Sequence, residues 1–188
     1  MRQPLTQLAQ TLIRPRLQAG DCAVDATVGN GHDTRFLAEC VGETGQVLGL
    51  DIQEAAIRTT EGRLAQAGLN GRVQLRQCGH ERLDQVLPDH MRGRLKVVMF
   101  NLGYLPGGDH DIVTRPDTTL TAIRAAWDNL CADGLISLMI YRGHRGGKDE
   151  YQAIRQWLDD SALPWSRPDP EAAQRPATAP VLLHLGRG

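Results

Sequence analysis

Short apolar runs of strand length alternate with longer segments of helical period along nearly the whole chain, and no other feature constrains the fold as tightly. Leu5, Leu8, Leu12 and Ile13 set a first helix within 5–18, ending by Pro15 at the latest. "CAVDATVG" then reads as a strand and "HDTRFLAECV" as a helix, and "GQVLGLDI" with "QEAAIRTTEGRLAQAG" repeats the pair. "RVQLRQC" precedes a short helix around 81–87. "LKVVMFNL", a glycine-rich loop and the helix "DTTLTAIRAAWDNLCADG" follow, then "LISLMIY", the helix "KDEYQAIRQWLDD" and a last strand in "PVLLHLG". The Pro- and Ala-rich segment 161–180 breaks the rhythm and is expected to hold one irregular strand pairing antiparallel with the tail. Continuously apolar strands are those covered on both faces. The expected fold is α/β and Rossmann-like, a mainly parallel seven-stranded sheet with helices on both faces. No linker is long enough to divide residues 1–188, so a single domain is expected.

The charge balance does not by itself suggest nucleic acid as a partner. With 41% hydrophobic residues, 23% charged residues and a net charge of -1, the chain has an ordinary globular composition. A local basic patch would still suffice to engage phosphates. The longest apolar runs fall far short of the roughly 20 residues of a membrane helix, and "MRQPLTQLAQ" lacks the apolar core of a signal peptide. The expectation is a cytoplasmic protein without membrane contact. Cys22, Cys40, Cys78 and Cys131 form no Cys-x-x-Cys pair and no zinc-spaced cluster. They are expected to be reduced, mostly buried thiols, and no metal is expected.

In such sheets the ligand crevice lies beyond the carboxyl ends of the strands. Candidate residues therefore fall in 25–33, 51–53, 78–80, 101–104 and 141–144. In "VDATVGNGHDTRFLA", Gly29 and Gly31 permit a sharp turn and let a ligand approach bare backbone. The next helix offers free N–H groups at its start. Asp51, twenty residues past Gly31, ends the second strand, where a carboxylate can accept hydrogen bonds from two ribose hydroxyls. Dinucleotide sites want a third glycine; here the position is Thr34, preceded by Asp33. Asp33 would repel a pyrophosphate and welcome an ammonium, and Asp25 adds a second carboxylate nearby. Charge thus favours S-adenosylmethionine (SAM) over NAD, against the plainer reading that the glycines merely turn the chain and Asp33 caps a helix.

The fourth strand ends in "NLGY". The Asn101 amide oxygen could accept a hydrogen bond from a target amine, and Tyr104 could stack on a flat base. A turn whose Asn caps a helix and whose Tyr covers the core would look the same. After the fifth strand, "YRGHRGGKDE" concentrates Arg142, Arg145 and Lys148 at the crevice rim, a pattern suited to RNA phosphates. His80 and His144 occupy crevice positions. His32 reads as a capping or packing residue, and His90, His110 and His184 as structural or solvated.

Together "DATVGNGHDTRFLA", "DIQ", "MFNLGYLPGGD" and "YRGHRGG" resemble a bacterial family long described as rRNA methylases and now associated with 5-aminomethyl-2-thiouridine at the tRNA wobble position. The similarity runs from about the end of the first helix to the last strand. It implies a class I SAM-dependent methyltransferase fold, transfer of one methyl to a primary amine, and the anticodon stem-loop as partner, with room for a homodimer. Carried over by position, donor binding falls on Asn30, Asp33, Asp51, Gln53 and His80, with Asp25, Thr27, Gly29 and Gly31 completing the loop. The family's usual serine after the third strand is Gly79 here, so one side-chain hydrogen bond is missing or replaced by backbone. The tail "RPATAPVLLHLGRG" matches only loosely. Asn101 would orient the amine, Tyr104 or Tyr141 would stack on the uracil, and His144, Tyr141 or water would take its proton. An rRNA base or a small amine as acceptor, or a non-catalytic RNA-binding module, are the competing readings.

Overall fold

The protein is described here by a computed structural model covering residues 3–105, 107 and 112–187. Seven strands form one sheet: β1 (Cys22–Asp25), β2 (Gln46–Asp51), β3 (Val73–Gln77), β4 (Leu95–Leu102), β5 (Leu130–Ile140), β6 (Trp165–Ser166) and β7 (Val181–Gly186). Their order is β3-β2-β1-β4-β5-β7-β6. The first five are parallel, and β7 lies antiparallel between β5 and β6. That insertion distinguishes the sheet from the dinucleotide-binding order 3-2-1-4-5-6. Among the described residues six α-helices accompany it: α1 (Leu5–Ile13), α2 (His32–Val41), α3 (Glu54–Ala67), α4 (Leu83–Val86), α5 (Pro116–Asp128) and α6 (Gly147–Ser161).

The two-residue period of the strands separates two cores. Ala23, Val97, Met99 and Leu135 point to one face and pack with Phe36, Leu37 and Val41 of α2 and Leu64 of α3. Their neighbours Val24, Val98, Phe100 and Ile136 point to the other, against Leu83 of α4, Ala122, Ile123 and Ala126 of α5, and Ile154 and Leu158 of α6. The first helix settles over β5 and β7, where Leu5 and Ala9 meet Met139 and Leu182. No helix among the described residues is long and apolar enough to cross a membrane.

Two expectations need correction. The helix expected over 117–134 stops at Asp128. The Asn129 side chain bonds the Ala125 carbonyl at 2.9 Å and closes the turn, and Leu130 opens β5. At the resulting register shift between β4 and β5, Gly134 lies against Leu95, whose carbonyl would be 2.8 Å from any Cβ there. Only Cys22 of the four free cysteines is buried; the other three are half-buried. His110 and part of the "LPGGD" stretch lie outside the described residues. The irregular strand expected before the tail is present, as β6 pairs antiparallel with β7 through Trp165 and Ser166.

Candidate functional site

The carboxyl ends of β1, β2 and β4 converge, and the loops that leave them wall two adjoining clefts. The glycine loop between β1 and α2 is shaped by its backbone. Gly29 and Gly31 both have positive φ, and a Cβ at 31 would come within 2.4 Å of the Thr60 hydroxyl on α3. Its carbonyls find partners on α3: Thr60 donates to the Gly29 carbonyl at 3.2 Å, and Arg63 to that of Asn30 at 2.8 Å. Asp51 closes the loop from the other side. One oxygen accepts the Gly29 N–H at 2.8 Å and the other the Gln53 N–H at 2.9 Å.

The first cleft holds about 240 Å³ and is lined by Asp51, Ile52, Gln53, Cys78, Gly79, His80 and Glu81. Ile52 is 51% exposed, an apolar platform beside a carboxylate. His80 is buried, hydrogen-bonds the Ala26 carbonyl and packs edge-on against Phe100. Burial pushes its imidazole below the usual range, so the ring is neutral at physiological pH. A Cβ at Gly79 would stand 2.1 Å from the Glu81 carboxylate. The space a serine would use is therefore occupied by Glu81, which the sequence reading did not single out.

The second cleft is lined by Thr6, Gln7 and Gln10 of α1 together with Asn30, His32, Asp33 and Tyr141. Thr27, Gly29, Asn101 and Tyr104 face both clefts. The Asn101 N–H donates to Thr27 Oγ1 at 2.7 Å, and its side-chain Nδ2 donates to Asp33 Oδ2 at 2.7 Å. The other oxygen of Asp33 accepts from Gln10 Nε2 at 2.7 Å. Asp33 thus sits in the second cleft, bonded to two amides. Asp25 lines neither cleft. It is fully buried beneath the loop, where Thr34 Oγ1 donates to it at 2.6 Å and the Thr27 N–H at 3.2 Å. Burial, and then the Asp33 charge, push its carboxyl up to about 7.

Two of the residues expected to act on the acceptor, His144 and Arg142, are placed for other tasks. His144 lines neither cleft. Its Nδ1 faces the Arg145 carbonyl at 2.9 Å and so carries the proton, while Nε2 is buried toward Gly147. A ring nitrogen turned into the start of α6 cannot collect a proton from the cleft; the ring instead meets Tyr104 edge-on at 5.9 Å. Tyr141 does reach the second cleft, but burial and the Asp33 charge raise its phenol, which disfavours it as a base and leaves its ring as a stacking surface. Arg142 is committed internally. It donates to the carbonyls of Ala179 at 2.8 Å and Pro176 at 3.3 Å and lies over the Tyr151 ring. Arg145 and Lys148 are exposed at the rim.

Beneath the acceptor side lies a group no motif announced. Glu150 of α6, fully buried, accepts from Thr114 Oγ1 at 2.7 Å and Thr119 Oγ1 at 2.6 Å, and Thr119 in turn stands 3.4 Å from His80 Nε2. It ties the loop after β4 to α6. Only its position at the start of α6 hinted at a role.

The donor set selects the ligand class. Carboxylates at 25, 33 and 51 surround the loop, the first turn of α2 carries Asp33, and the first cleft sets the carboxylates of Asp51 and Glu81 against the one guanidinium of Arg115 among its described lining. Such a site suits a sugar and a cation and disfavours a pyrophosphate. With the sheet order, this is the architecture of a Rossmann-like, class I methyltransferase. The chain belongs to the family described as "Putative rRNA methylase", whose model matches residues 47–183. A chloroplastic tRNA (mnm5s2U34)-methyltransferase of Arabidopsis thaliana is 38% identical over 98% of this chain and 69% of its own length. A crystal structure described as a "putative rRNA-methylase" from Clostridium thermocellum superposes with a TM-score of 0.89 at 38% identity, covering 99% of this chain and 98% of that one. A Streptococcus mutans protein described as a methyltransferase and solved with SAH superposes with a TM-score of 0.81 at 28% identity, over 99% of both chains.

Proposed function

We propose that the protein is a SAM-dependent N-methyltransferase that methylates the aminomethyl group of 5-aminomethyl-2-thiouridine at the wobble position of tRNA. The observation that carries this reading is Asn101, whose amide stands where the two clefts join. The name of the Arabidopsis relative, matched over nearly the whole chain, supports tRNA as the acceptor.

Bound SAM supplies an electrophilic methyl on a sulfonium. Asp51 would hold the ribose, Ile52 would cover the adenine, and Gln53, the backbone of Gly79 and His80 would complete that cleft. Asn30 and Asp33 would meet the amino-acid end. Asn101 Oδ1 accepts a hydrogen bond from the acceptor amine and aims its lone pair along the line of attack, and the rings of Tyr104 and Tyr141 hold the base. A primary amine is protonated near neutral pH and must lose a proton before attack. With His144 turned away and the Tyr141 phenol raised, that proton leaves to water. Arg145 and Lys148 would meet phosphates of the anticodon stem-loop. The chain acts as a single domain in the cytoplasm, and a homodimer remains part of this reading.

The test is nucleoside mass spectrometry of tRNA from a strain lacking the protein. 5-Aminomethyl-2-thiouridine should accumulate, and the intact gene should clear it. Unchanged tRNA nucleosides would overturn the tRNA assignment. The family description favours rRNA as the second acceptor, and a methyl group missing from rRNA in the same strain would establish it.

A further inference from the structure

Gln10 belongs to none of the motifs that mark the site, yet its side chain ends inside it. The apolar side of α1, with Leu5 and Ala9, is anchored on Met139 and Leu182. Its polar side, with Thr6, Gln7 and Gln10, forms a wall of the second cleft. From there Gln10 Nε2 donates to Asp33 Oδ1 at 2.7 Å, while Asn101 Nδ2 donates to Asp33 Oδ2 at 2.7 Å. One carboxylate is thus clamped at both oxygens, across 23 and 68 positions of sequence.

The chemistry of the clamp has a direction. An ionised carboxylate accepts and does not donate, so both amides must turn their NH2 groups toward Asp33. For Asn101 this decides which end of a nearly symmetric side chain faces the acceptor: Oδ1 must lie away from Asp33. Its backbone N–H is held separately by Thr27 Oγ1. A carboxylate held at one oxygen can pivot about its bond to Cβ. Two donors on opposite oxygens remove that freedom.

We propose that Gln10 is a positioning residue for methyl transfer, acting through Asp33 to keep the Asn101 amide oxygen turned toward the acceptor amine, so that α1 is part of the acceptor site. The inference rests on the reading of Asn101 as the group that orients the amine.

Gln10→Met keeps length and helix propensity and removes the donor. On modified tRNA its kcat should fall about tenfold or more, the scale of one hydrogen bond to a charged group. SAM affinity by calorimetry and the midpoint of thermal unfolding should stay close to those of the unsubstituted protein. A second readout needs no RNA. The Asn101 side-chain NH2 resonances, identified by their loss in Asn101→Ser, should shift and exchange faster with solvent in Gln10→Met. An unchanged kcat with unmoved Asn101 resonances would overturn the proposal, as would a loss of SAM affinity as large as the loss of kcat. If the unsubstituted protein methylates no RNA, the functional reading has failed, and the resonances alone decide whether Gln10 sets Asn101.

Discussion

The two clefts are built by different means. In the first, a strand-end carboxylate takes backbone N–H groups: Asp51 from Gly29, one strand away, and Gln53, two residues on. In the second, side chains hold side chains from distant parts of the chain: Gln10, Asp33 and Asn101. Backbone geometry recurs wherever strand, turn and helix recur, so a site made from it can be rebuilt from spacing. A site made from side-chain pairs depends on which helix lies against which loop. On the proposed reading, that difference sets the ribose end of the donor, held through backbone, apart from the side-chain network that orients the acceptor amine.

The division breaks if Asp51→Ala and Asn101→Ala behave alike. Asp51→Ala should weaken SAM binding in calorimetry by about 100-fold or more, since it removes the ribose acceptor and the Gly29 anchor together. Asn101→Ala should leave SAM affinity within a few-fold and lower turnover on tRNA by about 100-fold. Proportional losses in both quantities for both variants would merge the two clefts into one functional unit.

A finer division runs through the basic loop. Arg145→Ala and Lys148→Ala should each flatten the dependence of log Kd for tRNA on log salt by about 0.7–0.9, with thermal stability unchanged. Arg142→Ala should do the reverse. It releases the Pro176 and Ala179 carbonyls, costing about 1–2 kcal/mol in unfolding, and leaves the salt slope alone. Salt titrations beside thermal melts separate them, and a slope reduced equally in all three variants, relative to the unsubstituted protein, would place all three on the RNA.

A pH-dependent effect concerns Asp25 beneath the glycine loop. Its folded pKa of about 7 lies above the unfolded value near 4, so between these values the folded state holds a proton that the unfolded state has lost. Its contribution to stability therefore falls as pH rises from about 4 to about 7, by at most about 1.4 kcal/mol per unit. His184, lowered to about 4 by burial, contributes in the opposite sense. The difference in unfolding free energy between the native chain and Asp25→Asn isolates the carboxyl. A difference independent of pH across that window would mean Asp25 is ionised throughout.

Much of the architecture could be read from residue order. Apolar runs at "CAVD", "VLGL" and "VVMF" announced the parallel strands, and the proline-rich break announced the antiparallel edge. The end of α5 was missed because an asparagine cap looks like any polar helix residue until the turn closes on it. Within the site, Gly29, Gly31 and Asp51 were legible because each meets a backbone requirement. Gln10 was not, because helical period places it on the polar side of α1 without saying what that side meets. Arg142 and His144 misled for the same reason. Their residue types advertise phosphate and proton chemistry, and their atoms are spent on the Ala179 carbonyl and the start of α6.

Gly79 and Glu81 hold one volume between them. A side chain at 79 and the inward rotamer of Glu81 exclude each other, and the carboxylate is the more easily moved of the two. Gaining a hydroxyl at that rim would turn the Glu81 carboxylate out of it, so one substitution at 79 would also change the charge the rim presents.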